Sequence, residues 1–327
     1  MSATCRRHNT ECRRLGKKTT RRHPTCGAKP ILDECWGRLE AEIDWRRQLG
    51  RVTNIRDMCI RNVEITKERL AAIVAIFRSG RATNSSTGVY FCNANLCADG
   101  IISLSELIDL SSNLTLLELH LNRIDKLDSA RCLSRSLKSH ACINDLRLDH
   151  CDLGSNPEIL LVILKSDIKY INLSNNNIDS LGAVTIAEYL EDDPPIKELC
   201  LPYNRFNDDD VILISLAMKR NTNLIYLFLE GNNLTSIGVK ALLSCVFDSS
   251  SLNAISESNQ TLENINLFLY ENELTCCWKR ILVLDRTEKI LLALRDKDSL
   301  LQYLANVPVK LIPDVLAFFH GQVVDEH

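Results

Sequence analysis

Five thiol and imidazole side chains crowd one short stretch: Cys132, His140, Cys142, His150 and Cys151. Such residues are the usual donors of a zinc site, but four of them must converge on one ion at about 2.0–2.3 Å. Their spacing fits no standard finger or ribbon. The periodicity described below also gives Cys151 a place in a turn and Cys132 a place on a helix face. A second set, Cys5, Cys12, His23 and Cys26, likewise has no finger spacing. Gly16-Lys17-Lys18-Thr19 has the closing residues of a phosphate loop without the upstream glycine or the flanking strand. No His-Glu-x-x-His occurs. The reading from these residues is a chain with no metal, no cofactor and no catalytic constellation.

What the chain does contain is a phrase that returns about every 28 residues. Residues 168–178 read IKYINLSNNNI, 196–206 read IKELCLPYNRF and 224–234 read LIYLFLEGNNL. All fit L-x-x-L-x-L-x-x-N-x-L, the strand-and-asparagine signature of a leucine-rich repeat. Residues 114–124 (LTLLELHLNRI) fit in full, 143–153 (INDLRLDHCDL) with Cys151 in the asparagine position, and 89–96 (VYFCNANL) with Ala94 there. Residues 264–274 fit with Asn272, and 60–70 (IRNVEITKERL) keep the apolar spacing with Glu68. Alternate leucines such as Leu199 and Leu201 send one side of a short strand into the core. The asparagine amide satisfies backbone groups where the chain turns away. Cys151 can do so only weakly.

A 28-residue coil leaves room for a helix, with Ser180 and Ser236 as expected N-caps. Strands stack about 4.8 Å apart and helices about 8–10 Å apart, so the coils must curve into a horseshoe. The expected class is α/β, a leucine-rich-repeat solenoid with parallel strands on the concave face and helices on the convex face. Residues 60–275 would form seven to eight coils. Residues 31–59 are expected to be a helical N-cap and 276–327 a helical C-cap. Residues 248–259 read as an exposed loop.

Residues 1–30 differ from the rest. They hold nine Lys/Arg and one acid, Glu11, a net of +8. The whole chain is −3, which leaves −11 for residues 31–327. With Leu15 the only large aliphatic besides Met1, this segment reads as a disordered basic tail. Its paired basics resemble a nuclear-import or nucleic-acid arm, and a solvated tail is the plainer reading. No apolar run spans a membrane and no signal-like apolar segment opens the chain. The fourteen cysteines are scattered among apolar positions, which suits a reducing compartment. The expected location is cytoplasmic, with nuclear entry through the basic segment as the variant.

The array resembles the ribonuclease-inhibitor-like class of leucine-rich repeats, over roughly residues 60–275. That class includes the sensor regions of NOD-like receptors and the Ran GTPase-activating protein. The resemblance implies a fold and leaves function open. A repeat array makes a surface, so binding is expected before chemistry. Strand positions on the open face include Glu118, Asp145, Arg147, Asp149, Tyr170, Glu198, Tyr226, Phe228, Glu230, Phe268 and Tyr270. Five are acidic, five aromatic and one basic. Aromatic anchors with a charged rim suit a basic protein or peptide partner. The alternative for the rings is burial beneath the C-terminal segments. The resemblance to the Ran GTPase-activating protein implies a second function: Arg147, between two strand leucines of an early repeat, would be its catalytic arginine and a small GTPase its partner. Here Cys151 replaces that family's following asparagine, and its acidic C-terminal tail is missing.

Overall fold

The computed structural model describes residues 57–61, 64–78, 88–248 and 250–267. The expected basic tail, the C-cap, Phe268, Tyr270, Asn272 and residues 31–56 of the expected helical N-cap lie outside these residues, while residues 57–59 of that N-cap are strand rather than helix. The chain alternates strand and helix: β1 (Asp57–Arg61), α1 (Lys67–Arg78), β2 (Gly88–Cys92), α2 (Ala98–Leu110), β3 (Leu116–Glu118), α3 (Leu127–Ser139) and β4 (Asp145–Arg147). A 3-10 turn at Leu153–Ser155 precedes α4 (Pro157–Leu164). Then come β5 (Tyr170–Asn172), α5 (Ser180–Glu191), β6 (Glu198–Cys200), α6 (Asp208–Met218), β7 (Tyr226–Phe228), α7 (Ser236–Val246), α8 (Leu252–Glu257) and β8 (Asn264–Asn266). The strands form one sheet in sequence order, every neighbouring pair parallel. This is the leucine-rich-repeat solenoid that the periodicity requires.

The core runs the length of the stack. Leu117, Leu146, Ile171, Leu199 and Leu227 are in register and fully buried, and so is the next row, Leu119, Leu148, Leu173, Leu201 and Leu229. Helices answer with Leu133, Leu137, Ile186, Leu190, Ile214 and Met218. Each fully buried leucine contributes about 1.5–3 kcal/mol, and no coil can bury its own without a neighbour.

Asparagines stitch the turns. Asn176 accepts from the N–H groups of Cys151 and Leu153 and donates to the carbonyls of Leu148 and Ser174. Asn204 repeats this one coil on, accepting from Asn176 and Ile178 and donating to Leu173 and Leu201. Asn232 and Asn122 take the same place in their coils. Cys151 manages less: its Sγ donates to the Leu119 carbonyl at 2.9 Å. Burial pushes this thiol far above the ordinary range, so it stays protonated and can donate.

A second ladder runs along the opposite edge of the sheet, where each helix returns to its strand. Asn221 donates to the Leu190 carbonyl and accepts from the N–H groups of Asn223 and Leu224. Asn259 donates to Met218 and Asn221 and accepts from Thr261 and Leu262. His140 is built on the same plan. Its Nδ1 accepts from Cys142 and Ile143, so Nε2 carries the hydrogen that goes to the Ser111 carbonyl. That bonding explains one imidazole of the Cys/His-rich stretch as a turn residue.

Four expectations need correction. Asp57 pairs with Gly88, an offset that matches Ala94 to position 63, so Glu68 is not the first turn residue; it lies in α1. The N-caps of α5 and α7 are Asp179 and Thr235, one residue before the expected serines. Residues 248–259 are not simply an exposed loop: α8 lies there, with Ile255 and Asn259 buried. The last repeat begins two residues earlier than its phrase suggests: Tyr226 pairs with Asn264 and Leu227 with Ile265, so Leu262 is its leading apolar residue and Asn272 does not match Asn232. Asn207 closes a capping box with Asp210 at the start of α6.

Candidate binding face

Strand residues that do not enter the core stand in rows across the other side of the sheet. The register sets the first row as Leu116, Asp145, Tyr170, Glu198, Tyr226 and Asn264. The second is Tyr90, Glu118, Arg147, Asn172, Cys200, Phe228 and Asn266. Two residues further along each strand, a third row continues as Cys92, His120, Asp149, Ser174, Pro202 and Glu230. Neighbours within a row are one strand spacing apart, about 4.8 Å. The nine expected face residues that fall within the described region therefore all stand in these three rows.

They are not equally open. Tyr170 is 36% exposed and Tyr226 half-buried, its hydroxyl donating to Glu263 at 3.2 Å. Burial, with Glu263 as acceptor, raises that phenol's pKa. Phe228, by contrast, is only 4% exposed, and Asp149, Glu198 and Glu230 are buried too. Phe228 is thus no open aromatic.

Arg147 is held on both sides. Its Nε and Nη2 donate to the two oxygens of Asp145 at 3.1 and 2.9 Å, and Nη1 lies 3.7 Å from Glu118. Its side chain is 19% exposed. Burial works against its charge, but the Asp145 hydrogen bonds and the two carboxylates hold it protonated above the ordinary arginine range. A transition-state arginine must reach out to a partner's phosphate; this one is folded back on its own strand.

The residue before the turn position is left-handed in successive coils: Asn93, Leu121, His150, Asn175, Tyr203 and Gly231 all have φ between 52° and 72°. Asn and Gly accept this backbone readily, whereas Leu and Tyr do so at a cost of order 1–2 kcal/mol. Leu121 and Tyr203 nevertheless stand there 45% and 50% exposed. The Tyr203 ring covers Gly231, where any Cβ would lie 2.4 Å from it. These two apolar side chains rim the edge of the face beside the third row.

The same edge gathers His120, Asp149 and His150. His150 Nδ1 lies 2.7 Å from one Asp149 oxygen, His120 Nδ1 lies 3.5 Å from the other, and the rings meet edge to face at 5.5 Å. Of the Cys/His-rich stretch, only His150 belongs to this cluster. His120 and Asp149 come from adjacent coils, a neighbourhood that sequence reading can find only by stacking the repeats.

Among the described residues, no helix is long and apolar enough to cross a membrane. No protein-family model and no curated protein matches the chain. Solved structures do. The leucine-rich repeat-containing protein LegL7 from Legionella pneumophila is 15% identical over 80% of this chain and 85% of its own, with a TM-score of 0.41. Leiomodin-1 actin-binding site 2 is 14% identical over 64% and 97%, and the Caenorhabditis elegans tropomodulin C-terminal domain 13% over 61% and 99%, both with a TM-score of 0.33. Likeness at this level lends no argument about function. It is the strand order and the asparagine ladder of the chain itself that make it a leucine-rich-repeat solenoid.

Proposed function

We propose that this chain is a non-catalytic interaction module that binds a basic protein or peptide on the strand face. The observation that carries the reading is the composition of that face: Glu118, Asp145, Asp149, Glu198 and Glu230 against Arg147 alone, with Tyr170 open and Tyr226 half-buried beside them. Acidic groups in rows about 4.8 Å apart sum to a field that attracts cations, and the tyrosines supply contact area at low entropic cost. Leu121 and Tyr203 extend the contact at the rim. The clamped state of Arg147 supports binding rather than GTPase activation.

The test is capture of partners by the full chain, beside a Tyr170→Ala/Tyr226→Ala variant and a Leu181→Ser variant on the helical side. A basic partner retained by Leu181→Ser, released by salt and lost from the tyrosine variant supports the proposal. A partner lost only from Leu181→Ser overturns it. Phosphate release from GTP-loaded Ran tests the GTPase alternative. Stimulation abolished by Arg147→Ala would establish it, since a transition-state arginine is worth roughly 10³-fold or more in rate.

A further inference from the structure

We infer that His120, Asp149 and His150 form a binding site for a divalent transition metal, with zinc the best fit. One donor atom from each lies within 4.8 Å of the others. The 3.5 Å between His120 Nδ1 and the nearer Asp149 oxygen is close to the ~3.3 Å that separates two ligands at 2.0–2.1 Å on a tetrahedral zinc. Two imidazoles and one carboxylate are a borderline donor set that favours zinc over calcium or magnesium.

The site is built in advance. The Asn93 N–H and the Asn122 amide both donate to the His120 carbonyl. Leu121 N–H donates to the Asp149 carbonyl, and His150 N–H to that of Ser174. Asn175 Nδ2 donates to Asp149 Oδ1 at 3.0 Å, the kind of outer contact that orients a ligating carboxylate. The Asp149 side chain is 4% exposed, while His120 and His150 remain 29% and 45% open, so an ion can enter from the rim. Three protein ligands leave a fourth position for water or for a donor from a partner. Binding would displace the protons from the ligating imidazole nitrogens, so metal and proton compete for the same atoms.

The test is titration of the full chain with zinc chloride, and separately with cobalt(II) followed by visible absorption. The expected result is one metal equivalent more than a His120→Ala/His150→Ala variant takes up, with tetrahedral cobalt bands. Metal held by tail thiolates would persist in the variant and carry sulfur charge-transfer absorption. Asp149→Asn should weaken this equivalent at least about 100-fold, with helical circular dichroism unchanged. His140→Ala should leave it intact. Equal uptake by wild type and the double variant, or no uptake by wild type, shows an ordinary hydrogen-bonded cluster and overturns the inference.

Discussion

The turn at Cys151 and the turn at Asn204 occupy the same place in the repeat and are held very differently. Asn204 makes two acceptor and two donor bonds, three of them to the preceding coil. Cys151 places one weak donor on Leu119. Around Asn204 the coils are regular, with full helices α5 and α6. Around Cys151 the coil is shortened, and a 3-10 turn and an eight-residue helix replace the full helix. There Gly154 passes so close to the next coil that a Cβ would lie 2.4 Å from the Asn177 carbonyl oxygen. The same irregular coil carries Arg147, Asp149 and His150. A weaker turn goes with a shortened coil, and the lesson is that the repeat is most regular where an asparagine holds the turn.

The contrast can be broken experimentally. Asn204→Ala strands three buried backbone groups, the N–H groups of Asn176 and Ile178 and the Leu173 carbonyl, and should cost about 3 kcal/mol, toward the upper end for an unsatisfied buried group. In urea melts, Asn207→Ala should cost about 1 kcal/mol, the usual price of a lost cap. Equal effects would show that the ladder does not carry the turn. Asn259→Ala tests the second ladder and should cost about 2 kcal/mol, because its amide holds the Met218 and Asn221 carbonyls. A loss within a few tenths would reduce that ladder to a surface detail.

Cys151→Asn sharpens the comparison from the other side. If the turn is weak only for want of hydrogen bonds, asparagine should add about 1 kcal/mol. Destabilisation would mean that the shortened coil has no room for an amide. The smallest effect is one of pH. Slight burial opposes the charge of Asp193, but hydrogen bonds from Thr222 and Asn223 and the Lys197 charge outweigh it and lower its pKa. A lowered carboxylate stabilises the fold above its unfolded pKa of about 3.9 and loses that contribution as pH falls through its folded value. Asp193→Asn should therefore flatten the decline in melting temperature below about pH 4. An unchanged acid limb would show that this turn bond is not felt.

Much of the fold was legible because it repeats. The leucines at 199, 201, 227 and 229 and the asparagines at 176, 204 and 232 announce their work by recurring in one register, and a hydrophobic strand with a buried amide turn has few other ways to be satisfied. The second ladder was also present as a spacing, since Ser111, His140, Asp193, Asn221 and Asn259 each fall three residues before an apolar strand leader. Four different residue types fill it, so no single letter marks it. The caps missed by one residue because Asp179 and Thr235 are followed by serines that suit the role equally well.

Which face residues meet was beyond the sequence. Arg147 reads as a free cation between leucines, yet Asp145 on its own strand and Glu118 on the neighbouring strand claim it. His150 reads as one of a local Cys/His crowd, yet its partners are Asp149 beside it and His120 a full coil away. Those pairings follow from parallel stacking, which sets residues about 28 positions apart side by side at roughly 4.8 Å. Periodicity determined the solenoid, because burying the leucine rows has one economical solution. The chemistry of the open face was decided only in three dimensions, because there each side chain answers to the neighbouring coil rather than to the next residue.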